Sequence, residues 1–519
     1  MALVRSSLWH YLWMVTWVVI LHSVGPLSVL YCVSAKFLPE RLRIWKYLEY
    51  WALIETLFYF LTYGYRKYYL QYPALHPPPL EREERIQLFR RCVESSEDLA
   101  TFFSRWFLGT PIAAIKRENI KEWLRWAFLN TAIVDPNQDD ELEAYVVELE
   151  TKLGTNFEPG RADVKSIRLT LDKVDALHRS LTWYLCIFVV DIVTHAYMYI
   201  NDFDFYRGSI ANSVSIIPPR PQALMASYRS PSQNMSYWHR PHTSQKELPL
   251  VFLHGIGVGL YPYMRLLKEV NTGRRDEDGM IGILAVEILP ISTRITPPLP
   301  RKEDICQQIQ CILDHHGFNK FILVSHSYGS VISTHLLKTP ELTHRISSVI
   351  LVDPVSILLH QPDVVYNFTV RTPKFANEWL LWYFGSKDMG VAHTLSRTFF
   401  WSQNILWKED LNLHRATVFL SGKDSIINAP QVRRYLQDIE EHDPGKDEEE
   451  YPEESVPAPH ERGCVEVVWC PNLDHGEVFN LAAWRERLKL EILRKARYLA
   501  ELGSYVPARQ DLPDYGLSR

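Results

Sequence analysis

The segment 325–329, Ser-His-Ser-Tyr-Gly, constrains the fold of this chain more than any other stretch. It directly follows the apolar run 321–324, which predicts a buried strand, and precedes a helix-compatible run at 330–338. A serine between a strand and a helix lies in a sharp, strained turn that exposes its hydroxyl, and the residues two before and two after it must be small. Ser325 and Gly329 meet this requirement, although glycine is more usual than serine at the first of these positions. The pattern predicts a strand-turn-helix with Ser327 at its apex.

Three further predicted strands end at residues that suit nucleophilic catalysis. They are 248–253, which runs into the glycine-rich turn 254–257; 416–420, which is followed by Asp424; and 464–469, which is followed by His475. A serine hydroxyl becomes a nucleophile when a base takes its proton, and a carboxylate can hold that base in the correct tautomer. The candidate groups therefore occur in the chain order serine, acid, histidine.

At these motifs the chain resembles the α/β-hydrolase superfamily, over roughly residues 245–502. The resemblance implies an α/β fold with a mostly parallel sheet, flanking helices and an inserted lid. It also implies a catalytic triad of Ser327, His475 and Asp424. The oxyanion hole would consist of the backbone amides of Ile256 and Tyr328, which depend on the turn and not on the side chains.

The identity of the acid stays open at this point. Asp424 follows the penultimate predicted strand, the most common place for the acid in the family. Asp353 ends the preceding strand, where some lipases of this fold carry theirs. Asp474 adjoins His475 in sequence, and adjacent side chains on a loop seldom face each other. Asp424 is the preferred candidate and Asp353 the alternative.

The N-terminus predicts a membrane anchor. Residues 8–33 contain no charged side chain other than histidine, and about 20 apolar residues are enough to span a bilayer. A second apolar run, 47–65, either spans or lies flat at the surface. A third, 181–200, contains Asp191, and it either packs against the catalytic domain or crosses the membrane. Because basic residues flank the second run on both sides, the orientation is not determined.

The sequence divides into segments with different compositions. The predicted order is a membrane anchor of one or two transmembrane helices at 1–70, a helical region at 80–200, a connecting segment at 201–246 and a hydrolase domain at 247–502. Two insertions interrupt that domain: an aromatic-rich lid at 355–413 and an acidic, disordered loop at 439–461. An aromatic lid over a serine suits an apolar acyl ligand.

Composition excludes several functions. A net charge of −5 and the absence of a basic stripe argue against nucleic-acid binding, and seven scattered cysteines without a Cys-x-x-Cys pair argue against zinc. The resemblance to the α/β-hydrolase superfamily implies neither a metal nor an organic cofactor. The sequence predicts a membrane-associated serine hydrolase, at the endoplasmic reticulum or another internal membrane, that cleaves an apolar, lipid-like ester. Acyl transfer, peptidase activity and a non-catalytic role are the alternatives.

Overall fold

Nine strands of the protein form one sheet. The computed structural model describes residues 7–438 and 465–497, so the predicted acidic loop 439–461 lies outside the described residues. The sheet order is β2-β1-β3-β5-β4-β6-β7-β8-β9. The strands are β1 Asp204–Arg207, β2 Tyr228–Arg229, β3 Tyr237–Arg240, β4 Leu250–Leu253, β5 Ile283–Val286, β6 Phe321–His326, β7 Ile346–Val352, β8 Arg415–Ser421 and β9 Glu466–Cys470.

The part of the sheet that carries the predicted motifs is parallel. Strands β5, β4, β6, β7, β8 and β9 pair in parallel, whereas β3 runs antiparallel to both β5 and β1. Strand β6 is buried along its whole length, as expected for a parallel strand covered on both faces. The architecture agrees with the prediction of a mostly parallel sheet.

The segment 201–246 is not the connecting segment that the sequence predicts, because it supplies β1, β2 and β3 at one edge of the sheet. These strands are only two to four residues long and carry charged and aromatic side chains without a clear alternation. All four residues of β3 are nonetheless buried. Pairing with β5 and burial under neighbouring elements, and not local sequence pattern, determine this strand.

Nineteen α-helices are described. The first nine are α1 Leu8–Ser34, α2 Lys46–Tyr68, α3 Arg82–Glu94, α4 Leu99–Trp106, α5 Arg117–Leu129, α6 Asp139–Leu153, α7 Leu181–Ile200, α8 Ile210–Val214 and α9 Pro221–Met225. The remainder are α10 Met264–Glu269, α11 Lys302–His315, α12 Gly329–Leu337, α13 Pro340–Thr343, α14 Pro362–Val365, α15 Ala376–Leu380, α16 Met389–Arg397, α17 Trp401–Asn404, α18 Ala429–Gln437 and α19 Ala482–Arg497.

Helices cover both faces of the sheet. Alternate residues of β4 contribute to opposite cores, Val251 and Leu253 to one and Leu250 and Phe252 to the other, as the two-residue period of a strand requires. Helices α11 and α12 pack on the first face and α10 and α19 on the second. The predicted catalytic residues follow the carboxyl ends of strands β6, β8 and β9, at one edge of the sheet.

Helices α3 to α6 build a separate aromatic core beside the sheet. Its buried residues include Phe103, Trp123 and Trp126. The core also receives Val365 and the partly buried Trp401 from the 355–413 insertion. The helical region therefore packs directly against that insertion.

Two helices of the described residues, α1 and α7, are long and apolar enough to cross a membrane, judged by length and composition. Helix α2 does not meet that criterion. Most apolar side chains of α1 are exposed, and α2 and α7 each expose an apolar face as well. The exposed residues include Trp9, Leu12, Trp13, Val19, Leu27, Leu30, Leu53, Leu57, Phe60, Leu61, Leu185, Val189, Ile192 and Val193.

Helix α7 has one face packed against the protein. Asp191 on that face is buried and forms a bidentate ion pair with Arg294, while Arg220 lies 3.5 Å from it. Arg220 in turn pairs with Glu287 at 2.7 Å. Because buried charges need partners, this network fixes α7 to the loops that follow β5.

Helix α2 is tied to the start of α7. The buried carboxylate of Glu55 accepts hydrogen bonds from the backbone amides of Leu181 and Thr182, at 2.8 and 2.6 Å. These amides belong to the first turn of α7, which has no acceptors within the helix. A carboxylate at this end also interacts favourably with the helix dipole.

Helix α1 packs on the 355–413 insertion. Met14 and Val18, two buried residues of α1, form a small core with Ala376 of α15 and with Tyr383. Tyr383 lies in the π-helical turn Leu381–Ser386, which continues α15. The predicted anchor and the predicted lid are thus in direct contact.

Candidate active site

Ser327 lies at a sharp turn between β6 and α12 with a φ of 52°, a left-handed conformation that non-glycine residues rarely adopt. The start of α12 approaches the neighbouring strand β4 so closely that a Cβ on Gly329 would collide with the carbonyl oxygen of Leu253. Ser325, which stands where glycine is more usual, is fully buried, and its hydroxyl accepts a hydrogen bond from Ser333 Oγ at 2.8 Å. Its small size and satisfied hydroxyl explain why the departure is tolerated.

The structure brings the three preferred residues together. Ser327 Oγ lies 2.8 Å from His475 Nε2, and His475 Nδ1 lies 2.7 Å from Asp424 Oδ2. With Asp424 ionised, Nδ1–H donates to the carboxylate and Nε2 is free to accept the serine proton. The imidazole is thereby held in the tautomer that a general base needs.

Two aspartates beside His475 have different partners. Asp424 Oδ1 also accepts hydrogen bonds from the amides of Ile426 and Ile427. Asp353, the alternative acid, accepts from Ser421 N and Ser421 Oγ at 2.8 and 2.9 Å, and from Gly476 N at 2.8 Å. Asp353 therefore holds the loop of the histidine, whereas Asp424 contacts the imidazole.

Asp474 holds the same loop from another side. Its Oδ1 accepts from the amides of His475 and Ser425, at 2.8 and 2.9 Å. Its Oδ2 accepts from Asn377 Nδ2 at 2.5 Å. Asn377 belongs to α15, so the histidine loop is hydrogen-bonded to the insertion.

The amides of Ile256 and Tyr328 flank the serine, and both residues line the same cavity as Ser327. Within the described chain neither amide donates to a protein acceptor, so both are available for an oxyanion. A Cβ on Gly255 would lie only 2.8 Å from Ser327 Cβ. Glycine is required at this position because the turn approaches the serine so closely.

Tyr263 connects the two halves of this site. Its hydroxyl accepts from Gly255 N at 3.2 Å and donates to His326 Nδ1 at 2.8 Å. Burial, with a further contribution from His475, holds the pKa of His326 well below its usual range, so this ring is a neutral acceptor. The bridge fixes the glycine-rich turn relative to the serine.

Burial tends to lower the pKa of His475, but the charge and hydrogen bond of Asp424 outweigh it, and the net effect raises the pKa above 6.5. Asp353 and Asp474 contribute in the same direction. Burial raises the pKa of Asp353, and the charge of Asp424 adds to that rise. The site thus stabilises a protonated imidazole, as expected when a histidine takes a proton from serine.

Ser327 and His475 line an apolar cavity of about 130 Å³. Much of its wall comes from the 355–413 insertion, including Phe368, Phe384 and Phe399. The tryptophans of the insertion lie elsewhere: Trp382 packs in the small core beside α1, and Trp401 donates to Ala127 O at 2.9 Å. Phenylalanine and leucine side chains, and not tryptophan, face the serine.

The ligand atoms of Asp353, Asp424 and His475 lie within 4.8 Å of one another, a spacing that a metal site could use. The hydrogen bonds already described account for this cluster. Asp424 and His475 bond to each other, and both oxygens of Asp353 accept from the protein.

Several residues of the site could not be identified from the sequence. Tyr263 and Asn377 carry no motif, and they are recognisable only by their contacts with His326 and Asp474. The sequence shows that Asp353 follows a predicted strand, but it does not show that this carboxylate supports the loop of His475.

A family model described as the alpha/beta hydrolase fold matches residues 290–453. No curated protein matches the chain. Among solved structures, a membrane phospholipase A described as a bacterial virulence factor has a TM-score of 0.36 at 11% identity, covering 69% of this chain and 99% of its own. A carboxylesterase from Bacillus subtilis has a TM-score of 0.32 at 12% identity, covering 60% and 98%. Similarities at this level carry no information about substrate.

Proposed function

Because this chain has the α/β-hydrolase fold, we propose that it is a membrane-associated serine hydrolase that cleaves an apolar acyl ester. The observation that carries the proposal is the hydrogen-bonded series Ser327–His475–Asp424, with distances of 2.8 and 2.7 Å. A non-catalytic protein would have no use for all three groups in this arrangement.

In the proposed reaction, Ser327 Oγ attacks the ester carbonyl while His475 Nε2 takes its proton. The amides of Ile256 and Tyr328 stabilise the oxyanion. His475 then donates the proton to the departing alcohol, leaving an acyl-enzyme on Ser327. A water molecule, deprotonated by the same histidine, attacks the acyl-enzyme. The proton then passes from His475 to Ser327 Oγ as the fatty acid leaves.

The cavity supports an apolar acyl group. Burying each methylene contributes roughly 0.8 kcal/mol, so the specificity constant should rise with acyl-chain length until the cavity is filled. The exposed apolar faces of α1, α2 and α7 support a location at a lipid surface, where such esters are found. The proposed substrate class is therefore a lipid ester.

Fluorophosphonate labelling tests the proposal. The wild-type protein should be labelled, and Ser327→Ala should not, because the nucleophile is missing. Turnover of a medium-chain ester should fall by about 10⁴ or more. Ser227→Ala, an exposed serine outside the site, provides the control and should retain labelling.

Equal labelling of wild type and Ser327→Ala would reject the nucleophile. Labelling without hydrolysis of any ester in a series from acetyl to dodecanoyl would instead favour acyl transfer to an alcohol. A preference for acetyl esters would reject the lipid substrate and retain the serine hydrolase.

A further inference from the structure

A second, larger cavity of about 660 Å³ adjoins the first. It lies between the segment 161–175 of the helical region and the 355–413 insertion. Leu169, Thr369 and Leu395 line both cavities. These three residues therefore form the partition between the two cavities. The first cavity is apolar and contains Ser327, whereas the second is lined by charged side chains.

The wall of the second cavity is strongly charged. Glu122 pairs with both Arg161 and Arg168. Lys387, which is buried, pairs with Asp175 at 2.5 Å and also donates to Thr369 O at 3.1 Å. Lys387 thus reaches the partition itself with a positive charge.

The cations of this wall are not all neutralised. Lys165 and Lys173 are exposed at its edge, and among the described residues neither forms an ion pair. The cavity is lined by five cationic side chains and four carboxylates, of which Asp163 is the one without a cationic partner in the described chain. The lining of the second cavity therefore carries one more positive than negative charge.

The segment that carries these lysines is held in place. Buried Asn119 donates to Ala162 O at 3.0 Å and accepts from Ala162 N at 2.9 Å. Asp172 accepts from Arg168 N at 2.8 Å. The wall is consequently built by side-chain hydrogen bonds to its backbone.

We propose that the second cavity binds the phosphate-bearing head group of the ester whose acyl chain occupies the first. The inference rests on the proposed function. An amphipathic ester would lie across Leu169, Thr369 and Leu395, with its carbonyl at Ser327 and its phosphate near Lys165, Lys173 and Lys387. Lysine side chains bind phosphate groups as point charges.

Protection of Ser327 from fluorophosphonate provides the test. The probes are hexyl phosphate and 1-hexanol, which share one chain and dissolve as monomers, together with inorganic phosphate. For the full-length wild type, hexyl phosphate should slow labelling several-fold more than hexanol. Inorganic phosphate alone should have little effect, because the acyl cavity then contributes nothing.

Lys165→Gln/Lys173→Gln should remove most of the difference between hexyl phosphate and hexanol, with each labelling rate expressed relative to the unprotected rate of the same variant. Lys152→Gln/Lys320→Gln removes two exposed lysines outside this cavity and should keep the difference. Ser166→Trp, which narrows the cavity without changing its charge, should also weaken protection by hexyl phosphate more than protection by hexanol.

Equal protection of wild type and the Lys165/Lys173 variant by hexyl phosphate would overturn the inference, as would equal protection by hexyl phosphate and hexanol in the wild type. Protection by inorganic phosphate alone would reject a head group in favour of a free anion. If the wild type is not labelled at all, the proposed function itself fails.

Discussion

At the residue scale, the two carboxylates next to His475, Asp424 and Asp353, have different hydrogen-bond partners and different roles. Asp424 bonds to the imidazole, whereas Asp353 bonds to the amides of Ser421, at the end of β8, and Gly476, which follows His475. Asp353 also has a positive φ of 45°. A positive φ at a buried aspartate persists only when its surroundings hold it, and the three hydrogen bonds to its carboxylate do so.

Asp424→Asn should reduce turnover on the order of 10³–10⁴-fold, because an amide cannot hold the correct imidazole tautomer. Asp353→Asn should have a much smaller effect on turnover at neutral pH, since Asp353 supports the loop and contributes to the pKa of His475 without bonding to the imidazole. Steady-state kinetics on a medium-chain ester compares the two variants. The reverse ranking would make Asp353 the acid.

The pH profile provides a separate check. His475 works as a base only when neutral, so the rate falls as pH drops through its pKa. Because Asp424 raises that pKa above 6.5, the acid limb of kcat/KM should lie above pH 6.5 in the wild type. In Asp424→Asn the limb of the residual activity should move to lower pH. An unchanged limb would mean that a different group titrates.

At the element scale, α7 combines the composition of a membrane span with a buried ion pair. Its buried residues lie on one face and include Ile187, Asp191 and Met198. Arg294 and Arg220 neutralise Asp191. The helix is therefore packed along one side against the domain that contains the sheet, and it exposes an apolar surface along the other.

Asp191→Leu should destabilise the protein by about 3–5 kcal/mol, because it leaves Arg294 buried without its partner. Asp191→Leu/Arg294→Met removes both charges and should recover much of that loss. Thermal unfolding followed by circular dichroism measures both, with Ile192→Ala on the exposed face as the control. Equal stability of wild type and Asp191→Leu would mean that the pair contributes nothing.

These elements also show what the sequence can and cannot predict. The catalytic strands are predictable because each is an apolar run that ends in a recognisable turn. The partner of Asp191 is not, because Arg294 is far away in sequence and lies in a loop. Strand β3 is missed because its residues are polar and aromatic, and only pairing with β5 makes them a strand.

At the scale of the whole molecule, the exposed apolar faces belong to α1, α2 and α7. A contiguous exposed apolar surface is typical of a site of protein or membrane contact, and exposed tryptophans of α1, Trp9, Trp13 and Trp17, belong to it. Basic side chains, including Arg66 and Lys67, lie at the end of α2. Helices α1 and α7 therefore pack beside the 355–413 insertion, which also lines the cavity of the candidate catalytic residues.

The protein should remain in the membrane pellet after washing with alkaline carbonate, because α1 supplies an apolar length sufficient to span. Deletion of residues 1–35 removes α1 and keeps the Glu55 contact with α7. This variant should shift toward the soluble fraction, as measured by immunoblotting. Release of the intact protein by carbonate would indicate a peripheral association with the membrane. Full retention of the variant in the pellet would mean that α7 also holds the protein in the membrane.

The contact between α1 and α15 has a practical consequence for preparing this protein. Leu380 and Leu381, beside that contact, line the cavity of Ser327, and Asn377 in the same helix holds the loop of His475 through Asp474. Trimming α1 to gain solubility would remove the support behind this wall. Substrate preferences measured on such a truncated protein would describe a cavity whose wall has lost its packing against α1. Inhibitors selected against that form would fit a cavity that differs from the one in the intact protein.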